Sequence, residues 1–321
     1  MTSAGGDHGV LIGLSAVVTA LRDGEAVVLT TGGGGDEAGL PFGPFDPARD
    51  RTFELALRAF VTAQTGFDLG YVEQLYTFGD AGRDAPRAEL GAGRRRVVSV
   101  GYLALTPTAG KIAGDGAGWS PMLDFFPWED WRRGRPVMID SVLAPALTAW
   151  SDGAPARRAR AEALFALKPD IRWNEERVLE RYELLYEAGL VPEAARDRAL
   201  RDGEAPAAAT PIPGRPMASD HRRILATALG RLRGKLKYRP ILFELTPPEF
   251  TLSQLQAAAE AISGLALHKQ NFRRGVERTG LVEPTGRLAT ATGGRPAELH
   301  RYRGADPLGG QALGLVLPTL R

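Results

Sequence analysis

The sequence predicts an α/β sandwich with a mixed sheet, a helical insertion and a C-terminal winged helix-turn-helix. Three observations carry that expectation. In the first third, β-branched stretches surround a capped amphipathic helix. Residues 136 to about 200 keep a helical apolar period. Beyond residue 217 come a capped helix, a turn, a basic helix and a turn-rich pair of strands, the order in which a winged helix presents its recognition helix. The expected domains are 1–135, 136–216 and 217–321.

The chain has 321 residues, more than one ordinary domain needs. With 44% hydrophobic and 24% charged residues, it can bury a sizeable core. It contains no cysteine, which excludes disulfides, thiolate metal sites and a cysteine nucleophile. The histidines, His8, His221, His268 and His300, are too scattered to suggest a metal cluster. Neither a signal peptide nor an apolar run of about 18 residues stands out. These features lead us to expect a cytoplasmic protein with no membrane partner, no required cofactor and no metal site.

A net charge of +2 hides an asymmetry. Residues 220–321 hold 16 Lys and Arg against 8 Asp and Glu, while residues 1–219 hold 24 against 30. A basic C-terminal third suits a polyanion partner. A general surplus of arginine would give the same balance.

In order along the chain, Leu11 to Leu21 and Ala26 to Thr31 read as two strands joined by the Asp23-Gly24 turn. Gly32 to Gly35 form a loop; without a following Lys-Ser/Thr or GxGxxG pattern, a turn is favoured over a phosphate cradle. Asp50 or Thr52 caps a helix that runs to about Thr65, with Phe53, Leu57, Phe60 and Val61 on its apolar face and Gly66 as its stop. Tyr71 to Phe78 and Arg96 to Leu105 are strands, and the loop between them carries Arg83, Arg87, Arg94 and Arg95.

This order of elements resembles the Nudix fold, and the loop and helix before Gly66 resemble a Nudix box, Gly-x5-Glu-x7-Arg-Glu-U-x-Glu-Glu-x-Gly-U with U aliphatic. Anchored on Gly66, the pattern puts Arg51 at the first Glu, Ala59 at the Arg, Phe60 at the second Glu, and Ala63 and Gln64 at the paired Glu positions. No acidic residue lies from Leu55 to Gln64, so another register does not restore the carboxylates. In the family's hydrolases those glutamates hold divalent metal, and neutral groups cannot replace them. The resemblance therefore implies the architecture without the catalysis, and we assign no catalytic residue. The alternative is an active nucleotide-diphosphate hydrolase that uses Glu54, Asp46 or Glu73, with the C-terminal domain serving dimerisation.

Trp119 to Trp131 is an aromatic stretch, expected to close the first domain by core and lid packing in preference to a ligand-stacking cage. Leu143, Leu147 and Trp150, then Leu164 and Phe165, then Val178, Tyr182 and Leu185 mark helices, with Asn174 as a cap before Glu175. Residues 205–216 form an Ala/Pro-rich linker. Ser219-Asp220 caps a helix to about Leu236. Its Arg222, Arg223, Arg231, Arg233 and Lys235 mark either a solvated face or a junction between domains, and these two readings weigh equally.

Tyr238 to Leu245 is expected as a short strand. Thr251 and Gln254 form a capping box, and Gly264 stops the helix they open. The basic helix, Leu267 to Arg278, turns Leu267, Phe272 and Val276 inward and Lys269, Arg273 and Arg274 outward. Lys and Arg can meet phosphates or guanine, while Gln270 and Asn271 offer amides for adenine. Leu281-Val282 and Ala297 to Tyr302 supply a wing whose Gly293-Gly294-Arg295 tip can reach a phosphate or the minor groove.

HKQNFRR, GGRPAELHRYR, RLRGKLKYRP, FTLSQLQ, YVEQLYTFGD and RVVSVGYLAL together resemble the Nudix-related NrtR transcriptional regulators of NAD biosynthesis. The likeness covers about residues 10–130 and 218–303; the stretch 136–205 lies outside it. It implies a homodimer on palindromic double-stranded operator DNA, with ADP-ribose or a related nucleotide as effector. By similarity, DNA contact falls on Lys269, Asn271, Arg273, Arg274 and Arg295. Effector contact falls on Gly43, Phe45, Phe78, Arg83 and Arg96.

Overall fold

The computed structural model describes residues 10–32, 37–80, 96–114, 116–202, 212–237, 239–289 and 296–304. Its centre is a six-stranded mixed sheet. Strand β1 (Val10–Arg22) turns at Asp23-Gly24, both at positive φ, into β2 (Glu25–Thr31). The short β3 (Phe42–Pro44) pairs with the first half of β1, and β2 with the second. On the other side of β1 runs β5 (Arg96–Leu105), parallel to it and antiparallel to β4 (Tyr71–Phe78). Strand β6 (Ala117–Pro121) closes the far edge beside β2.

Helix α1 (Phe53–Thr65) starts where the Thr52 side chain accepts from the Leu55 amide, and it ends at left-handed Gly66. Alternation along β1 sends Leu14, Ala16 and Val18 to α1, against Ala56, Leu57 and Val61. Val17 faces the other way, into a larger core. Helix α6 (His221–Leu236) covers that second face, lying on β1, β4 and β5.

Between sheet and α6 the chain builds a π-helical turn (Ile139–Leu143) and the helices α2 (Ala144–Trp150), α3 (Pro155–Phe165), α4 (Val178–Glu187) and α5 (Pro192–Asp202). They share one core with α6. The aromatic stretch does more than close the first domain. Phe125, Phe126 and Trp128 are fully buried in this shared core, where α4 and α6 meet the sheet. Asn174 caps a turn, accepting from the Glu176 amide, and α4 begins only at Val178. At the start of α6, Asp220 makes no side-chain cap bond and instead pairs with Arg223.

The C-terminal unit holds β7 (Glu249–Thr251), α7 (Leu252–Ser263), α8 (Lys269–Thr279), β8 (Val282–Ala289) and β9 (Ala297–Tyr302). Its three strands pair in the order β7-β9-β8. The strand expected near Leu245 is a 3-10 turn, Ile241–Glu244. Burial there runs Ile241, Leu242 and Leu245 without alternating, and Pro240 leads in without an N–H to donate to a ladder. Helix α7 packs on α6 and on β2, so the C-terminal unit sits directly against the sheet.

Candidate nucleic-acid interface and effector face

Helix α7 carries the complete capping box: Gln254 N–H donates to Thr251 Oγ1 at 3.1 Å, and Thr251 N–H donates to Gln254 Oε1 at 2.8 Å. The turn to α8 is then pinned from α7. Gln256 Nε2 donates to Leu267 O at 2.8 Å, and Glu260 Oε1 accepts from Leu267 N at 2.8 Å. A buried Phe272 and Val276 fix the rotation of α8 about its axis. Sequence reasoning missed Gln256 and Glu260; their i, i+4 spacing ahead of a tight turn was the available signal.

That rotation exposes Lys269, Gln270, Asn271 and Arg274, together with Arg278. Among the described residues, none of these cations has an ion-pair partner. Arg273 lies lower, half-buried, with Nη2 at 3.5 Å from Ser253 Oγ. His268 leaves the first turn of α8 without a side-chain cap and no acid follows, so the helix N-terminus remains electropositive. On the wing, Arg287 pairs with Glu249 at 2.9 Å, and Arg301 and Arg303 share Glu283. Those two arginines hold the Glu283 carboxyl below its usual range. Tyr302 stacks on Phe243 at 4.2 Å and anchors the wing to the unit's own core. The tip with Arg295 lies outside the described residues.

Of the expected effector residues that are described, Gly43 and Phe45 lie apart from Phe78. Gly43 and Phe45 lie on the α1 face, where the Phe60 ring packs on Gly43 and Phe45 meets Phe53 edge-on at 4.5 Å. A phenyl ring thus occupies a position where the Nudix pattern has a carboxylate. Gln64, at another such position, donates to Phe42 O at 2.7 Å and so holds β3. Phe78 is on the opposite face of the sheet, beneath α6, in a small cleft lined also by Asp80, Ser99, Asp220 and His221. Arg83 lies outside the described residues, and of Arg96 only the backbone, pairing with Val10, is described.

His221 is buried, and its Nδ1 accepts from the Leu40 amide at 3.0 Å. Burial, with a contribution from Arg196, pushes it down to about 4, so the ring is neutral at ordinary pH and carries its proton on Nε2.

The three carboxylates that would serve a hydrolase are engaged separately. Glu54 pairs with Arg58 on α1 at 2.8 Å. Asp46 accepts from the Ala48 amide at 2.9 Å. Glu73 lies on the α6 face, bonded to Lys235 and Tyr71. Burial alone would raise the Glu73 pKa, but those bonds outweigh it and hold the carboxyl low, while burial and Glu73 push Tyr71 up to about 12. Among the described residues, no three acidic or histidine side chains converge on a metal position.

Residues 242–302 match the family model of the NrtR DNA-binding winged helix domain. Over those residues the C-terminal unit is similar to an NrtR winged helix. The crystal structure of Shewanella oneidensis NrtR superposes with a TM-score of 0.52 and 21% identity, over 91% of this chain and 94% of that one. A MutT/nudix family protein from Enterococcus faecalis gives 0.54 at 16% identity, over 93% and 90%. At such identities the likeness is one of fold, a Nudix-like domain followed by the NrtR winged helix. In sequence, the "ADPR responsive transcriptional repressor NtrR" of Acinetobacter baylyi is 42% identical over 86 residues, which is 27% of this chain. The match spans about a third of that relative, 34% of its length. No described helix is long and apolar enough to cross a membrane.

Proposed function

We propose that this chain is a transcriptional repressor that binds operator DNA through α8 and the wing and answers to ADP-ribose or a related nucleotide. Genes of NAD metabolism are its targets in this reading, and a homodimer is the working form on a palindromic site. The observation that carries it is the set of cations on α8 with no ion-pair partner among the described residues, turned outward by the pinning of the turn from the capped α7, within a segment that matches the NrtR winged helix. Lys269, Gln270, Asn271, Arg273, Arg274 and Arg295 are assigned to DNA. The name of the Acinetobacter relative, an ADPR responsive repressor, supports the effector class.

The Nudix-like domain is read as a sensor. Phe60 and Gln64 fill box positions with packing and backbone bonds, and Glu54, Asp46 and Glu73 are engaged apart from one another. An effector held at the sheet can reach the winged helix through α6, which touches both. In linkage terms it needs only to bind one α6 geometry better than another.

The test is a titration of the full chain onto its own upstream DNA at several salt concentrations, with and without ADP-ribose. Affinity should fall steeply with salt, with a log–log slope close to the number of phosphates neutralised. ADP-ribose should then weaken binding. Salt-independent binding, or turnover of ADP-ribose with added divalent metal, overturns the reading.

A further inference from the structure

The helical segment 136–202 has no part in the function so far, yet it supplies one of the two arginines of a fully buried ion cluster. Glu129, at 0% exposure, receives two arginines. Arg181 of α4 reaches it through Nε at 2.6 Å and Nη2 at 2.8 Å. Arg233 of α6 reaches it through Nη1 at 2.5 Å. Each arginine has a second engagement. Arg181 lies 3.8 Å from the Trp173 ring and donates to Asn174 O at 2.8 Å. Arg233 donates through Nε to Ile262 O at 3.0 Å, in the last turn of α7. A cation there also suits the negative end of that helix.

Two residues further, Trp131 N–H donates to Gly264 O at 2.7 Å, and Trp131 bridges Leu265 in the turn before α8. The approach is close: a Cβ on Gly264 would stand 2.3 Å from Glu129 O and 2.7 Å from Arg233 Nη2. So the C-terminal end of α7 and the turn that sets α8 are fastened to the cluster. Two buried positive charges against one carboxylate are tolerated because backbone carbonyls and an aromatic face take the remaining donors.

We propose that the helical segment is a clamp, and that Glu129, with Arg181 and Arg233, is a positioning node that holds the winged helix in one orientation on the sheet. The node touches neither DNA nor effector; it sets the angle at which α8 is presented. The consequence for operator binding rests on the function proposed above. The clamp itself does not.

The absence of cysteine allows a direct measurement. Leu55→Cys on α1 and Arg278→Cys on α8, both at exposed sites, take spin labels in the full chain, and pulsed dipolar spectroscopy reads the distance between them without DNA. A single narrow distribution is expected in the parent. Glu129→Gln leaves two buried guanidiniums facing each other, and Gly264→Ala crowds the Glu129 carbonyl and Arg233 Nη2 while keeping every charge. In each the distribution should broaden or shift, while circular dichroism keeps the helical content. A folded variant with lower Tm but the parent's distribution means an ordinary structural role and overturns the proposal. Should both variants fail to fold, hydrogen exchange of the parent decides. The Trp131 amide must be as protected as those in α7, and loop-like exchange there overturns the clamp. If the distances respond but no operator is bound at any salt, the repressor reading fails and the clamp stands.

Discussion

Helices α6 and α8 are both amphipathic and both rich in arginine and lysine, yet their charges have opposite fates. On α6, Arg222, Arg233 and Lys235 are buried. Each has a carboxylate: Glu193 for Arg222 at 3.3 Å, Glu129 for Arg233, Glu73 for Lys235. Arg222 also donates to Phe125 O and lies among the rings of Phe126, Trp128 and Tyr182. On α8, Lys269, Arg274 and Arg278 are exposed, with no ion-pair partner among the described residues. A cation's role follows from what the rest of the chain brings to it. Supplied with acids, it joins two parts of the protein; left with water, it can exchange that water and its counterions for phosphate.

The sharpest way to break this contrast is to remove one member of each set. Arg233→Met leaves Glu129 and the Ile262 carbonyl short of a donor in a dry site. It should cost about 3–5 kcal/mol of stability, read as a lowered urea midpoint. The matched Arg274→Met should stay within about 0.5 kcal/mol of the parent. Equal losses in the two would end the distinction.

Next in size is the titration of His221, at the first turn of α6. Its folded pKa, about 4, lies below its ordinary 6.5, so the unfolded chain binds the extra proton more readily. Stability contributed by the neutral ring is therefore complete above about pH 6.5 and is lost as pH falls toward 4, with a limit of ~3 kcal/mol. Urea unfolding at pH 7 and pH 5 should show most of that decline, and His221→Gln should flatten it. An unchanged slope in the variant would assign the acid sensitivity to other groups.

The smallest effect sharpens the α8 side. Arg274→Ala should weaken operator binding by about 1–3 kcal/mol if the side chain reads a base, with relaxed preference at one position. If it meets only phosphate, the loss should be uniform over sequences and the salt slope should fall by about one. No change in either would remove Arg274 from the interface.

Much of the fold was legible beforehand. The Asp23-Gly24 hairpin, the Thr52 and Gly66 caps of α1, the β4 and β5 strands, and the Thr251–Gln254 box all form as their local chemistry dictates. These are short-range signals, in which the residue and its partner lie within a few positions. Errors fell where a partner is remote or missing. The stretch around Ile241 had strand-like residues but no ladder to join. Asp220 had the right type for a cap, but Arg223 engages its carboxylate. The aromatic stretch from Trp119 was readable as core, but not as the meeting point of sheet, α4 and α6.

The candidate site divides in the same way. The inward Phe272 and Val276 and the outward Lys269 and Arg274 follow from helical periodicity alone. Arg273 was expected on the outer side and is half-buried beside Ser253, because α7 passes close to it. The five effector residues were assigned by family resemblance; among those described, strand alternation puts Gly43 against α1 and Phe78 under α6.

By itself the sequence determined the local elements, the loss of the box carboxylates and the basic character of α8, since each depends on a residue and its near neighbours. Only the tertiary structure decided which of two basic helices is a strut and which is a free surface. Glu129 and Arg233 stand 104 residues apart in the chain, and only folding brings them to 2.5 Å.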